Sequence, residues 1–230
     1  MKRLYKTAAA LLTAAVLMTS LLTGCGASGP TEKDAKKYVK AVLDLMCTGD
    51  YDHSVTFSDV EEGDEQASRN AMIDSIVSSV AEENDLTQEQ SEKFREYITQ
   101  AFATCRYSVK NASKTEDGGY DVVVSIEPLL VFDGVSDALN AKIDEMTATE
   151  EAAVSMSKEE QRAALTDTLF EALNKNLEAP RYAPAEEVVV HYGLLGGSQE
   201  GSEEGSEEVY GVDEEAASLL GAKLFSSEGM

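Results

Sequence analysis

The chain has 230 residues, with 19 Lys+Arg against 43 Asp+Glu, a formal charge of −24 and a hydrophobic content of 43%. The acidic excess argues against nucleic-acid binding, which rests on basic residues neutralising phosphates, and against a polybasic grip on anionic lipid. The hydrophobic content is slightly below the ordinary globular range but well above the disordered class, so most of the chain is expected to fold.

Lys2, Arg3 and Lys6 form a positive n-region, Thr7 to Leu22 is an uncharged apolar stretch, and the small residues Thr23 and Gly24 follow. This is the anatomy of a secretory signal peptide, expected over residues 1–24. The apolar run is shorter than the roughly 18 to 20 residues a helix needs to span a bilayer core, so a permanent transmembrane anchor is the weaker reading. Leu22-Thr23-Gly24-Cys25 resembles the bacterial lipobox, in which the cysteine thiol is diacylglycerylated and the chain is cut before it. Cys25 is then the lipidation site, and palmitate is the label that would report it. Two acyl chains, at about 0.8 kcal/mol per buried methylene, hold a protein where one would not. Residues 25–30 are expected to be a lipidated flexible tether, and function is expected on the extracytoplasmic face of a bacterial cell membrane. Removing the leader takes away three basic residues and no acidic one, leaving the rest of the chain at −27.

Thr31 and Asp34 have capping-box spacing, and Tyr38, Val42, Leu45 and Met46 recur at helical intervals as far as Gly49, a natural stop. A loop rich in Asp, Ser and Glu over residues 50–63 precedes a second helical pattern with Met72, Ile73, Ile76, Val77 and Val80. Thr87 with Gln90 caps a third helix, whose Phe94, Ile98, Ala101, Phe102 and Cys105 form one continuous stripe. The period then changes from 3.6 to 2. Residues 106–111 read as a strand, Asp117-Gly118-Gly119 as a turn, and Tyr120, Val122, Val124 and Ile126 as one face of the return strand, which ends at Pro128.

Ser136 and Asp137 start another helix, and Ser157 with Glu160 is a further capping box, so the run to Glu178 reads as two helices broken near 154–157. Leu165, Leu169, Leu173 and Leu177 mark the buried side of the second. Residues 186–192 and 207–212 read as a pair of strands, and Asp213 caps a last helix bearing Leu219, Leu220, Leu224 and Phe225. Between those strands, residues 197–208 repeat a Gly-Ser-acidic tetrapeptide three times and are expected to be a disordered, solvated insertion at a hairpin tip. A calcium-binding repeat is the alternative, but its carboxylates lack the spacing of a known loop.

The order predicts an α+β fold: about four antiparallel strands in two hairpins forming one sheet, packed against five to six helices in a single domain over residues 31–226. The lipobox at Cys25, the helix ending in Leu45-Met46-Cys47-Thr48-Gly49-Asp50-Tyr51, the hairpin residues Gly119 to Val124 leading into Ile126-Glu127-Pro128, and Tyr210-Gly211-Val212-Asp213 before the last helix together resemble a family of Clostridia-type Gram-positive membrane lipoproteins. The resemblance covers nearly the whole mature chain and implies a tethered domain similar in outline to cystatin-like or nuclear-transport-factor-like folds. Its motifs are structural punctuation, and no catalytic residue carries over with it.

Candidate chemistry is sparse. Asp50, Asp52 and His53 form the one cluster with plausible metal ligands, but their spacing matches no zinc or calcium pattern, and the alternative is a polar turn with Tyr51 packed inward. His191 is expected opposite Val188, Val190 and Tyr192, exposed or hydrogen-bonded rather than a catalytic base. The chain has no G-x-S-x-G, P-loop, dinucleotide fingerprint or H-E-x-x-H. Cys47 and Cys105 both close apolar helical faces; a disulfide between them would enclose nearly sixty residues, but buried free thiols are the favoured expectation. The expected function is therefore a non-catalytic envelope lipoprotein with no cofactor, binding a small ligand, wall component or envelope protein. A structural lipoprotein that scaffolds a membrane protein is the alternative, and an envelope hydrolase is third.

Overall fold

In the computed structural model the described residues are 22–23, 29–55, 57, 63–148, 156–195 and 209–226. They form an α+β fold of six helices and an antiparallel sheet. The helices are α1 (Glu32–Cys47), α2 (Glu65–Asn84), α3 (Gln88–Thr104), α4 (Val135–Thr147), α5 (Lys158–Glu178) and α6 (Glu214–Lys223). The main strands are β2 (Arg106–Lys114), β3 (Tyr120–Glu127), β4 (Glu186–Leu194) and β5 (Val209–Gly211), with a two-residue β1 (Leu22–Thr23) on the outer edge of β5. The order across the sheet is β1-β5-β4-β3-β2.

The capping signals hold. Thr31, Thr87 and Ser157 each accept from the backbone N–H three residues on, and Asp34, Gln90 and Glu160 reach back to close the box. Asp213 Oδ1 accepts from Ala216 N at 2.8 Å and starts α6. α4 begins one residue before the expected Ser136, because Gly134 adopts a left-handed conformation (φ 70°) at the N-cap position. α1 stops where Gly49 turns left-handed (φ 73°), so that Thr48 N donates to Asp44 O and Gly49 N to Leu45 O.

Alternation in β3 buries Tyr120, Val122, Val124 and Ile126. Across the β3–β4 ladder Val122 faces Val190, Val124 faces Val188 and Tyr120 faces Tyr192, so the apolar sides coincide. β2 runs to Lys114, three residues beyond the expected end, because a register shift between Val109 and Ala112 returns Ala112 to the core side. β5 covers residues 209–211, shorter than the expected 207–212, and meets β4 only at Gly193–Gly211 and Leu194–Tyr210.

The helices cover one face of the sheet, and α1 lies innermost, in contact with β2, β3, β4, α2, α3 and α6. That position explains why burial extends beyond its expected stripe to Ala35, Val39, Ala41, Leu43 and Cys47. Tyr38 anchors the centre, 5.2 Å from the Tyr192 ring and 5.4 Å from Phe57. In α5 the expected leucine stripe is rotated: Thr166, Phe170 and Leu173 are buried, while Leu165, Leu169 and Leu177 are half-buried. Phe170 stacks at 5.9 Å on Phe94 of α3, and this aromatic contact sets the helix's rotation. Leu219 of α6 is exposed, whereas Leu220 is fully buried.

The segment after Pro128 had no expected role, and it is the clasp between sheet and helices. Leu129 N donates to Leu224 O, Ser226 N donates to Leu129 O, and Ala183 N donates to Pro128 O. Asn176 Nδ2 donates to the carbonyls of Val131 and Asp133, both at 2.9 Å. Residues 1–21 and 24 of the expected signal peptide, residues 25–28 of the tether with Cys25, and the repeat at 197–208 lie outside the described residues.

Candidate functional site

One stripe of α1 borders an opening, with Ala41 buried at its floor. Lys37, Lys40, Ala41 and Asp44, spaced i, i+3, i+4 and i+7, lie on a single side of the helix. Together with Asp50, Tyr51 and Asp52 from the following loop they line an open cleft of about 480 Å³. Ala41 has only a methyl group, which leaves room between the longer side chains.

The cleft is polar, and two of its three carboxylates are paired with its own lysines. Lys37 Nζ is 3.1 Å from Asp52 Oδ2, and Lys40 pairs with Asp44. Tyr107, from β2, donates its hydroxyl to the other oxygen of Asp44 at 2.8 Å. Burial pushes the Tyr107 phenol well above its usual range, so it remains a donor. The Asp52 carboxyl is held at about 2, first by the Ser54 hydroxyl, then by the Ser54 backbone N–H and Lys37. Asp50 has no ion-pair partner among the described residues, which leaves the lining with one surplus negative charge.

Asp50 and Asp52 therefore share a cleft, but His53 is not brought to it. Its Nδ1 lies 3.4 Å from Glu65 Oε1, and its ring packs against Tyr51 at 5.3 Å. Tyr51 is buried, as the polar-turn reading expects. Among the described residues no group of three or more His, Cys, Asp or Glu side chains converges as metal ligands. Lys37, Lys40 and Asp44 do not stand out in the sequence, because they lie on the polar side of a helix whose periodic signal is its apolar side. Their own i, i+3, i+7 spacing was the available signal.

His191 lies on the exposed side of β4, between two aspartates: Nδ1 is 3.0 Å from Asp121 Oδ1 and Nε2 is 3.1 Å from Asp117 Oδ2. It ties the β2–β3 turn to β4 as a structural clamp. A second void, among Ile76, Tyr97, Phe102, Phe132 and Phe225, is about 10 Å³, room for no more than a water molecule. Cys47 and Cys105 are free thiols, the first buried and the second half-buried.

The cleft and fold define a class: an α+β domain with one helix-covered sheet face and an open, mixed-charge surface site. No family model matches the chain, and no curated protein matches it either. Among solved structures it is similar to ycdA, a proposed lipoprotein of Bacillus subtilis, with a TM-score of 0.52 at 15% identity. The match covers 84% of this chain and 56% of the Bacillus protein, so the chain spans little more than half the length of that relative. At this identity the likeness is one of fold. Among the described residues no helix is long and apolar enough to cross a membrane.

Proposed function

We propose that this chain is an envelope lipoprotein of the Clostridia-type Gram-positive class, anchored through a lipid on Cys25, whose α+β domain binds a partner without catalysis. The observation that carries the reading is the succession of Lys2, Arg3 and Lys6, the apolar run 7–22 and Leu22-Thr23-Gly24-Cys25. A shared fold with a proposed lipoprotein is consistent with it.

The anchor would bring the cleft close to the membrane. Tyr120 Oη donates to Pro30 O at 3.2 Å, which fixes the point where the tether leaves the domain. Five residues reach at most ~17 Å, so Pro30 stays within that distance of the lipidated cysteine. Asp44 lies about 20 Å along α1 from Thr31. The occupant of the cleft is thus a membrane-proximal molecule carrying both charge signs, such as a wall fragment or a polar surface of an envelope protein, whose groups replace the Lys37–Asp52 and Lys40–Asp44 pairings.

Two measurements test this. Cys25→Ala abolishes incorporation of labelled palmitate; a mutant that still takes up label overturns the lipidation. Purified protein screened against zwitterionic wall fragments gives a thermal shift, equivalent to about 2.7 kcal/mol at a hundredfold excess over the dissociation constant. The shift is lost in Lys37→Ala/Lys40→Ala. A flat screen together with an envelope protein crosslinked elsewhere on the domain removes the cleft as the binding site. Turnover abolished by a single Asp, Glu or His substitution replaces the non-catalytic reading.

A further inference from the structure

Charge is not spread evenly over this chain. α1 and β2 together carry seven basic and three acidic residues, while the rest of the chain after residue 24 carries nine basic and forty acidic. Lys33, Lys36, Lys37 and Lys40 recur at i, i+3, i+4 and i+7 along the polar side of α1. Arg106, Lys110 and Lys114 are spaced along β2, which has no acidic residue and forms one edge of the sheet.

The two elements lie side by side and run in opposite directions. Tyr107 Oη donates to Asp44 Oδ1 at 2.8 Å, which sets the start of β2 against the end of α1. At the other end Lys114 stands opposite Tyr120 in the β2–β3 ladder, and Tyr120 Oη donates to Pro30 O at 3.2 Å. Directly opposed residues share a face of the sheet, so Lys114 projects on the side where Tyr120 meets the chain entering α1. Lys33 stands in the first turn of that helix. Part of this charge is already paired: Lys36 with Glu32 at 3.3 Å, Lys37 with Asp52, Lys40 with Asp44, and Arg106 with Glu127 at 3.5 Å. Lys33, Lys110 and Lys114 are exposed and form no ion pair among the described residues. Nearby acidic groups are engaged elsewhere, Asp34 in its capping box with Thr31 and Asp117 on His191, with Glu116 the exception.

We propose that the α1–β2 face is a docking surface for an anionic lipid membrane, which the anchored domain meets with Lys33, Lys110 and Lys114 against the headgroups. The proposal rests on the anchoring reading above and adds the orientation of the domain. The tether is the geometric reason. Its reach of at most ~17 Å is less than the roughly 40 Å diameter of a domain of this size, so the corner at Pro30 cannot turn away from the bilayer. Charge is the second reason. An anionic surface favours each nearby lysine by roughly fivefold and repels the acidic remainder of the domain, which disfavours other rotations about the tether. The chain-wide acidic excess still argues against a polybasic grip: the acyl chains supply the attachment, and the lysines select the face. Lys37 and Lys40 lie on the same side of α1, which places the cleft beside the headgroups.

The test uses the lipid-bearing protein in vesicles of phosphatidylcholine alone or mixed with phosphatidylglycerol, treated with an amine-reactive reagent and mapped by peptide mass spectrometry. Lys33, Lys110 and Lys114 are expected to react about fivefold more slowly on the anionic vesicles. Lys158 and Lys175, exposed on α5 and without an ion pair among the described residues, should react alike on both. The difference disappears at high salt, where the Debye length falls to about 3 Å at 1 M. Lys110→Glu/Lys114→Glu, two changes on an exposed strand edge, restores the reaction of Lys33. Equal rates on the two kinds of vesicle overturn the proposal, as does equal slowing of Lys158 and Lys175 or a Lys33 still shielded in the double variant. Flotation with the vesicles reads the anchoring separately. A chain found without lipid is coupled through Cys25 to a maleimide-headgroup lipid, so the face is read in either case.

Discussion

Arg69 offers the sharpest test of how the helical layer is held. An α-helix leaves its last four carbonyls without intrahelical partners. In α1 the first two of these, Asp44 O and Leu45 O, are taken by Thr48 N and Gly49 N. The remaining two, Met46 O and Cys47 O, are taken by Arg69 of α2, through Nε at 3.3 Å and Nη2 at 2.9 Å. Arg69 is 5% exposed, and α1 has no basic residue in its own last turn, so this one guanidinium also answers the helix dipole. Among the described residues no carboxylate forms an ion pair with it, and burial lowers its pKa from the ordinary arginine value. Arg69→Met keeps the apolar stem, removes the charge and strands two carbonyls. Each orphaned buried carbonyl costs about 1–3 kcal/mol, and loss of the desolvated charge returns part of that. The expected net loss is about 3 kcal/mol, a fall of roughly 1.5 M in the urea midpoint at a slope of ~2 kcal/mol/M. Arg69→Lys, a point charge without the planar fork, is expected to lose about half as much. The chain has no tryptophan, so unfolding is followed by far-UV circular dichroism. If Arg69→Met unfolds within ~0.5 kcal/mol of the parent, water must reach those carbonyls and the account of α1's end is wrong.

Asp52 is ionised in the folded state down to about pH 2, against an ordinary carboxyl value of 3.8. A depressed folded-state pKa means that its stabilising effect is complete above the unfolded value and is lost as pH falls from about 4 towards 2. Asp52→Asn should flatten the melting temperature across that window and leave the pH 5–7 profile parallel to the parent; equal acid slopes would refute the assignment. Gly119→Ala would place a methyl carbon 2.6 Å from Tyr192 O, within the β3–β4 ladder. Because the obstacle is backbone, it should destabilise by roughly 1–3 kcal/mol in chemical denaturation, and an unchanged midpoint would show that the turn is loose. Leu173→Ala, at a position 1% exposed, should cost about 2–5 kcal/mol. Leu169→Ala, on the half-buried flank, should cost clearly less, and the reverse order would mean that α5 is rotated from its described position.

The parts of the fold that were legible in the sequence are those written in local chemistry. Capping boxes at Thr31, Thr87 and Ser157 satisfy donors within one helical turn, and alternation from Tyr120 to Ile126 is a property of the strand itself. The readings that shifted depended on partners far along the chain. The rotation of α5 follows from the stack of Phe170 on Phe94, and the length of β2 follows from a bulge that exists only opposite β3. The clasp at 129–134 has no periodicity because its hydrogen bonds go to α5, α6 and the segment around Arg181. The cleft was half-visible: Asp50 and Asp52 were singled out for metal binding, while Lys37 and Lys40, which neutralise their surroundings, lie on the helix before them.

The sequence by itself determined the helix starts capped by Thr31, Thr87, Ser157 and Asp213, the hairpin, the α+β class and the succession of leader and lipobox residues, because each is encoded within about ten neighbouring positions. Tertiary structure alone decided which side of α1 became a cleft and that Arg69 closes another helix. Those contacts are set by how three helices pack on one sheet, and no local pattern of residues carries that information.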